Sequence, residues 1–440
     1  MPSDPRPVFD PRTYAEEVPY ALLAQLRAES PVRFVEEPPV LGWPAGRGFW
    51  AVWRHRDVKA VLRDPHRFSS ARGTQIRDPD SPADLAYISR QMLNMDPPGH
   101  TRLRGLVSKA LTPRAVGRLE DRIQARATSL VDRLRHQLDG GTADFALVAG
   151  DLPLFALAEV LGVPESDRYL LYDWSNRVIG YQDEDYASSA HFDASGGTPM
   201  AQAATALRPV PGPDGRLPNP RGRGGMPDLY RYAHELAEWK RRRPGDDVMS
   251  LLLAASDEQG GEVTSEEFEN MFWLFAVAGN ETLRNGIPGG MASLLAHPDA
   301  YRRLRADPGL IGTSVEEMLR WWPPVMHFRR TATEDTEVAG QPVRAGDKVV
   351  VFHVSANRDP AAFSEPDRFD IERRPNDHVS FGFGVHFCLG AHLARAQMRA
   401  LLGQVAARLP ELEPAGPVVR LTSNFQNGVK HLPVRLATGR

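Results

Sequence analysis

One cysteine stands in 440 residues. A lone thiol excludes an internal disulfide, a multi-cysteine metal site and, with them, the secreted disulfide scaffold. Long apolar runs are also missing. No stretch approaches the ~20 residues that cross a bilayer. The first residues, Met1 to Asp10, are polar and proline-rich and read as neither signal peptide nor membrane anchor. Charge of one sign is absent too. Lysines and arginines number 53 and aspartates and glutamates 56, a net −3 that offers no general basic surface to nucleic acid or membrane. No internal repeat is evident. The remainder is ordinary, 42% hydrophobic and 25% charged. The expectation is a soluble cytoplasmic protein with no nucleic-acid partner and no membrane anchor.

The one cysteine, Cys388, lies in Phe-Gly-Phe-Gly-Val-His-Phe-Cys-Leu-Gly, residues 381–390. Gly382, Gly384 and Gly390 give freedom where a chain must turn tightly or approach something closely. Residues 391–402 follow with apolar positions at helical spacing. A cysteine at the entry to a helix meets unpaired N–H groups and a dipole that favour thiolate. A stabilised thiolate is the ligand a haem iron needs for O–O cleavage, although an isolated cysteine is more often a buried structural residue. The decamer resembles the haem-binding loop of the cytochromes P450 at every fixed position: Phe381, Gly382, Gly384, His386, Cys388 and Gly390.

Other segments bear on that resemblance in chain order. His100 and Arg104, behind Pro97-Pro98-Gly99, share one helical face. Alone they read as a solvated pair or as a cationic pair facing an anion. The longest helical pattern, Glu266 to His297, contains Ala-Gly-Asn-Glu-Thr at 278–282. Glycine in a helix costs about 1 kcal/mol against alanine, so Gly279 serves either helix packing or the close approach of a flat ligand. The Thr282 hydroxyl can bond back to a carbonyl and open the helix. Glu317 and Arg320 stand one turn apart, either as an exposed ion pair or as a buried structural one. Pro323-Pro324 ends their helix, and an extended run leads to Arg330. Residues 191–225 are so rich in proline and glycine that no regular helix is expected.

The resemblance spans nearly the whole chain and implies a mainly α fold with a minor β region. It predicts one cytochrome P450 domain over 1–440, a triangular helical body with haem between the long central helix and the cysteine-loop helix. The β-rich part falls at about 30–70 and 325–355, and 191–225 becomes a lid-region insertion, either a gate over the substrate or a segment without consequence. The resemblance makes Cys388 the axial ligand of haem b (iron protoporphyrin IX). His100, Arg104, Arg330 and His378 become propionate partners, with Gly279 and Phe381 beside the cofactor. Glu281 and Thr282 become the acid–alcohol pair that relays protons to bound dioxygen. Arg368 is expected to complete the Glu317–Arg320 pair.

The implied activity is a haem-thiolate monooxygenase that inserts one oxygen atom from O2 into an apolar small molecule: a steroid, terpenoid, lipid or other natural product. No flavin or nicotinamide fingerprint is found, so electrons are expected from a ferredoxin and a ferredoxin reductase with NAD(P)H. Residues 278–282, 326–330 and 423–433 look most like bacterial members that oxidise sterol side chains and branched lipids. Gln426 and the 191–225 stretch depart from that likeness. Oxidative coupling of an aromatic natural product by the same haem chemistry is the alternative. A non-catalytic haem sensor is a further one, against which the Glu281-Thr282 pair argues.

Overall fold

The computed structural model describes residues 2–188, 196–213, 215, 217–255 and 261–437. The chain clusters into two compact units built from interleaved segments. The first comprises Met1–Phe68, Arg118–Leu152 and Thr282–Arg440, the second Ser69–Gly117 and Pro153–Glu281.

The first unit holds the β-rich part where the sequence places it. A five-stranded sheet runs Val32–Val35, Phe49–Val52, Lys348–Phe352, His327–Ala332, Phe68–Ser69. Lys348–Phe352 is buried throughout. It pairs in parallel with Phe49–Val52 (Ala51 opposite Val350) and antiparallel with His327–Ala332 (Arg330 opposite Val349). Burial on both faces explains its unbroken apolar run, Val349 to Phe352. Val52, Val58, Val61, Leu62, Val349, Val351 and Val379 form one core at the sheet. The helix Ala391–Arg408 packs on Glu120–Asp139. The latter buries Ile123, Ala127, Leu130, Val131, Leu134 and Leu138, the three-and-four spacing of a one-faced helix.

The second unit packs Arg168–Ile179 and Pro227–Arg242 against Ser265–Ala278. Trp174, Tyr232 and Phe272 meet at its centre with ring centroids 5.4 to 5.9 Å apart. Thr264 and Glu267 start the last helix with a reciprocal capping box.

The stretch 191–225 departs from expectation. Residues 191–195, 214 and 216 lie outside the described residues. Within the rest, Pro199–Thr205 is a helix, with Pro199 in its first turn and Thr198 as cap. Proline at the first position removes no helical bond, so its presence there starts a helix. Two buried carboxylates hold this stretch. Asp167 accepts from the Thr198 N–H (2.7 Å) and hydroxyl (2.6 Å), and Asp173 pairs with Arg208 at 2.8 Å.

Candidate active site

The cysteine loop closes on itself. The Cys388 N–H donates to the Phe381 carbonyl at 2.8 Å, Gly382 to Val379 at 2.8 Å and Phe387 to Gly384 at 3.0 Å. Gly382 and Gly384 take φ of +70° and +72°, a region other residues occupy only under strain. At Gly384 a Cβ would also sit 2.3 Å from the Leu62 carbonyl oxygen, so the glycine lets the loop lie on helix His55–Arg63. Cys388 is exposed, three positions ahead of helix Ala391–Arg408.

A buried network holds the loop from behind. Arg320 bonds both Glu317 oxygens (2.8 and 2.7 Å) and the carbonyls of Asn357, Pro366 and Arg368. The second guanidinium on Glu317 belongs to Arg373, at 3.2 Å, and not to Arg368. Arg368 gives the network only its carbonyl, because its own side chain turns outward to Glu365. Asn357 relays the network forward: it donates to the Arg320 carbonyl and the Ser380 hydroxyl and accepts the Val379 N–H. Val379 and Ser380 run straight into Phe381.

His378 corrects a second expectation. Its Nε2 faces Glu316 at 3.2 Å, and its Nδ1 accepts the Ser380 N–H at 3.3 Å. Neither nitrogen is left for a propionate. Glu316 also takes a two-pronged pair from Arg395, whose guanidinium lies 4.4 Å over the Phe381 ring. Burial pushes the Glu316 carboxyl up, and the Arg395 and His378 bonds outweigh it, holding it at about 2. Phe381 is thus wedged by cation and imidazole. His386, fixed in the motif but given no role of its own by the sequence reading, stands on the turn Gly384–His386, two positions before Cys388.

Arg330 is buried on strand His327–Ala332 and donates to the Arg329 carbonyl at 2.8 Å. Its neighbour His353 is buried, and burial first and the Arg330 charge second push that imidazole down to about 4. His327, also buried, is pushed down to about 3, by burial and then by His353. The C-terminal turn rests on the extended run before Arg330: Gln426 bridges Val325, and Met326 donates to the Phe425 carbonyl.

The second unit carries the other candidates. His100 is buried and Arg104 half-buried, one turn apart on Gly99–Ser108. The Asp96 carboxylate anchors that helix start by accepting from the Ser69 hydroxyl and the Ser70 N–H. The long central helix, read in the sequence as one run that Thr282 could open, is broken ahead of Thr282. Ser265–Ala278 ends at Gly279, and a new helix begins at Glu281. A Cβ on Gly279 would lie 2.6 Å from Leu157 Cδ1 and 2.8 Å from the Phe275 carbonyl oxygen, so the glycine lets Leu157 pack closely here. Asn280 donates to the Ser175 hydroxyl at 2.8 Å. Glu281 is fully buried and its Oε1 accepts the Tyr186 hydroxyl; Thr282 follows, half-buried. Tyr186 carries no motif in the sequence, and nothing local marks it.

Comparisons with known proteins show the family. The family model "Cytochrome P450" matches residues 310–410. A steroid C26-monooxygenase of Rhodococcus jostii is 37% identical over 434 residues, 98% of this chain and 84% of that protein. A linalool 8-monooxygenase of Pseudomonas putida is 36% identical over 97% of this chain and 98% of its own length. Among solved structures, a Mycobacterium marinum cytochrome P450, CYP268A2, in complex with pseudoionone is 40% identical. That likeness covers 95% of this chain and 94% of the other, with a TM-score of 0.77.

Proposed function

This chain belongs to the cytochrome P450 family, and from that premise we propose that it is a haem-thiolate monooxygenase acting on an isoprenoid or steroid. One observation carries the reading: the only thiol of the chain is presented, exposed, on a loop that backbone bonds and two positive-φ glycines hold closed.

The donor set fits haem b. Cys388 would hold the haem iron through its thiolate. Arg330, Arg104 and His100 offer cationic or hydrogen-bonding groups suited to two carboxylates, and His378 is withdrawn from that set because Glu316 and Ser380 occupy it. When bound, the haem supplies the reductive activation of O2 that leads to oxygen insertion. The protein's part is to hold and deliver. The Glu317–Arg320–Arg373 network fixes the segment before Phe381 and so the height of Cys388. Glu281 and Thr282 sit where one helix ends and the next begins, and their carboxyl and hydroxyl groups would hold and pass protons. The substrate's apolar bulk is held by packing, and orientation selects the carbon that reacts.

The substrate class rests on the relatives, whose names cite a steroid, linalool and pseudoionone. Electron supply is assigned to a ferredoxin and its NAD(P)H-dependent reductase, and the location to the cytoplasm. No helix among the described residues is long and apolar enough to cross a membrane. The test is turnover of a steroid and terpenoid panel with isotopically labelled dioxygen and a reconstituted ferredoxin pair. A product heavier by one labelled oxygen atom supports the reading. Loss of two hydrogens, or a dimer, with no label incorporated contradicts it.

A further inference from the structure

The short helix Glu184–Ala187 is positioned by contacts on both sides. Asp183 caps it, accepting the Tyr186 N–H at 3.1 Å. The Tyr186 ring lies on Gly180, where a Cβ would come within 2.7 Å of Cδ1. Held there, the ring is 5% exposed, and its hydroxyl donates to Oε1 of Glu281, 95 residues away and fully buried. A glutamate side chain has three rotatable bonds. A hydrogen bond from a ring that is itself wedged selects among their settings. We infer that Tyr186 is a positioning residue: it orients the Glu281 carboxyl group and ties that setting to residues 180–188. The inference rests on the proposed proton-delivering role of Glu281.

The tie gives the segment ahead of the Pro/Gly-rich stretch a direct hold on the residue that meters protons. Any rearrangement of 180–188 that withdraws the phenol removes this hydrogen bond from the carboxyl group. Gly180 matters because only a residue without a side chain leaves room for the ring. Its φ of −79° is ordinary, so alanine there is not strained by its own φ but crowds the ring first and, at 3.1 Å, the Ala187 N–H next.

Three variants test this in the haem-loaded protein: Y186F, G180A and E281Q. Y186F keeps the ring on Gly180 and removes only the donor. We expect an unchanged carbon monoxide spectrum and unchanged substrate affinity. Amide hydrogen exchange over 183–188 should rise about tenfold, as for loss of one buried hydrogen bond. More peroxide should form per electron pair consumed, with a larger solvent isotope effect on product formation. G180A, which retains both hydrogen-bonding groups, should shift the same readouts in the same direction. Exchange and coupling like wild type in Y186F would overturn the inference. So would faster exchange with wild-type coupling while E281Q is uncoupled, because Tyr186 would then only pack. If E281Q itself couples normally, the proton role of Glu281 falls, and the exchange result alone upholds or overturns the tie.

Discussion

The cysteine loop bonds to itself across a handful of residues, through the Cys388-to-Phe381 and Gly382-to-Val379 backbone bonds. The break at Gly279 to Glu281 is held from afar, by Tyr186, Ser175 and Leu157. The first arrangement demands fixed residue types at fixed spacing, because glycine and a backbone turn have no substitutes. The second can be met by any side chain that reaches from another element. A rigid local cradle suits a ligand that must stay in one place. Side chains contributed by separate elements suit a group that must respond to change elsewhere.

The largest expected effect removes the support of the local cradle. Glu317→Ala strands the buried Arg320 and Arg373 without their carboxylate, a loss of about 3–5 kcal/mol. Urea unfolding should show it, and haem retention should fall with it. On the distant side, Thr282→Ala should keep haem and fold while coupled product formation drops on the order of 10²-fold, the usual weight of a positioned proton donor. Product and peroxide, measured against electrons consumed, check this; tight coupling in that variant removes Thr282 from the relay.

The two loop glycines sharpen the comparison further. Gly384→Ala combines a positive φ with a Cβ against the Leu62 carbonyl and should cost about 1–3 kcal/mol. Gly382→Ala has the same φ problem, but its nearest neighbour is 3.7 Å away, so it should cost only about 1 kcal/mol. Equal losses in the two variants would mean that packing on helix His55–Arg63 contributes nothing.

A smaller effect is set by pH within the cysteine loop's own unit. His327 and His353 are held neutral, at about 3 and about 4 against an ordinary 6.5. The unfolded chain therefore binds more protons than the folded one below 6.5, and stability falls as pH falls through that value. For the two together the loss from about pH 7 to about pH 6 is about 1 kcal/mol. Glu316 acts lower still. Its depressed carboxyl contributes stability that is lost as pH falls from 4.5 towards about 2. Unfolding midpoints over this range, with His353→Gln reducing the first slope, provide the check.

The same contrast explains what could be read in the sequence. The decamer at 381–390, the Glu317–Arg320 turn and the strands within 30–70 and 325–355 are local patterns, and the structure shows a closed loop, an ion pair and strands at those positions. Gly279 stood out because a helix interior rarely carries a glycine, but that the helix ends there was not legible, since the opening was assigned to Thr282. Choosing Arg368 over Arg373 failed because both lie in an irregular run, and only its fold decides which guanidinium turns inward. His378 looked like an anion ligand, but its partner Glu316 is 62 residues distant, and spacing says nothing about it. Pro199–Thr205 was hidden by the surrounding prolines, although its own proline stands where a helix tolerates one. Tyr186 had no local signal at all.

Thiolate ligation by Cys388 is tested most directly by the absorbance difference spectrum of the reduced protein with and without carbon monoxide. A Soret band far to the red of that of a histidine-ligated haem, absent in Cys388→Ser, is the predicted result. A histidine-like band in the native protein, or a red-shifted band that survives the substitution, would contradict it.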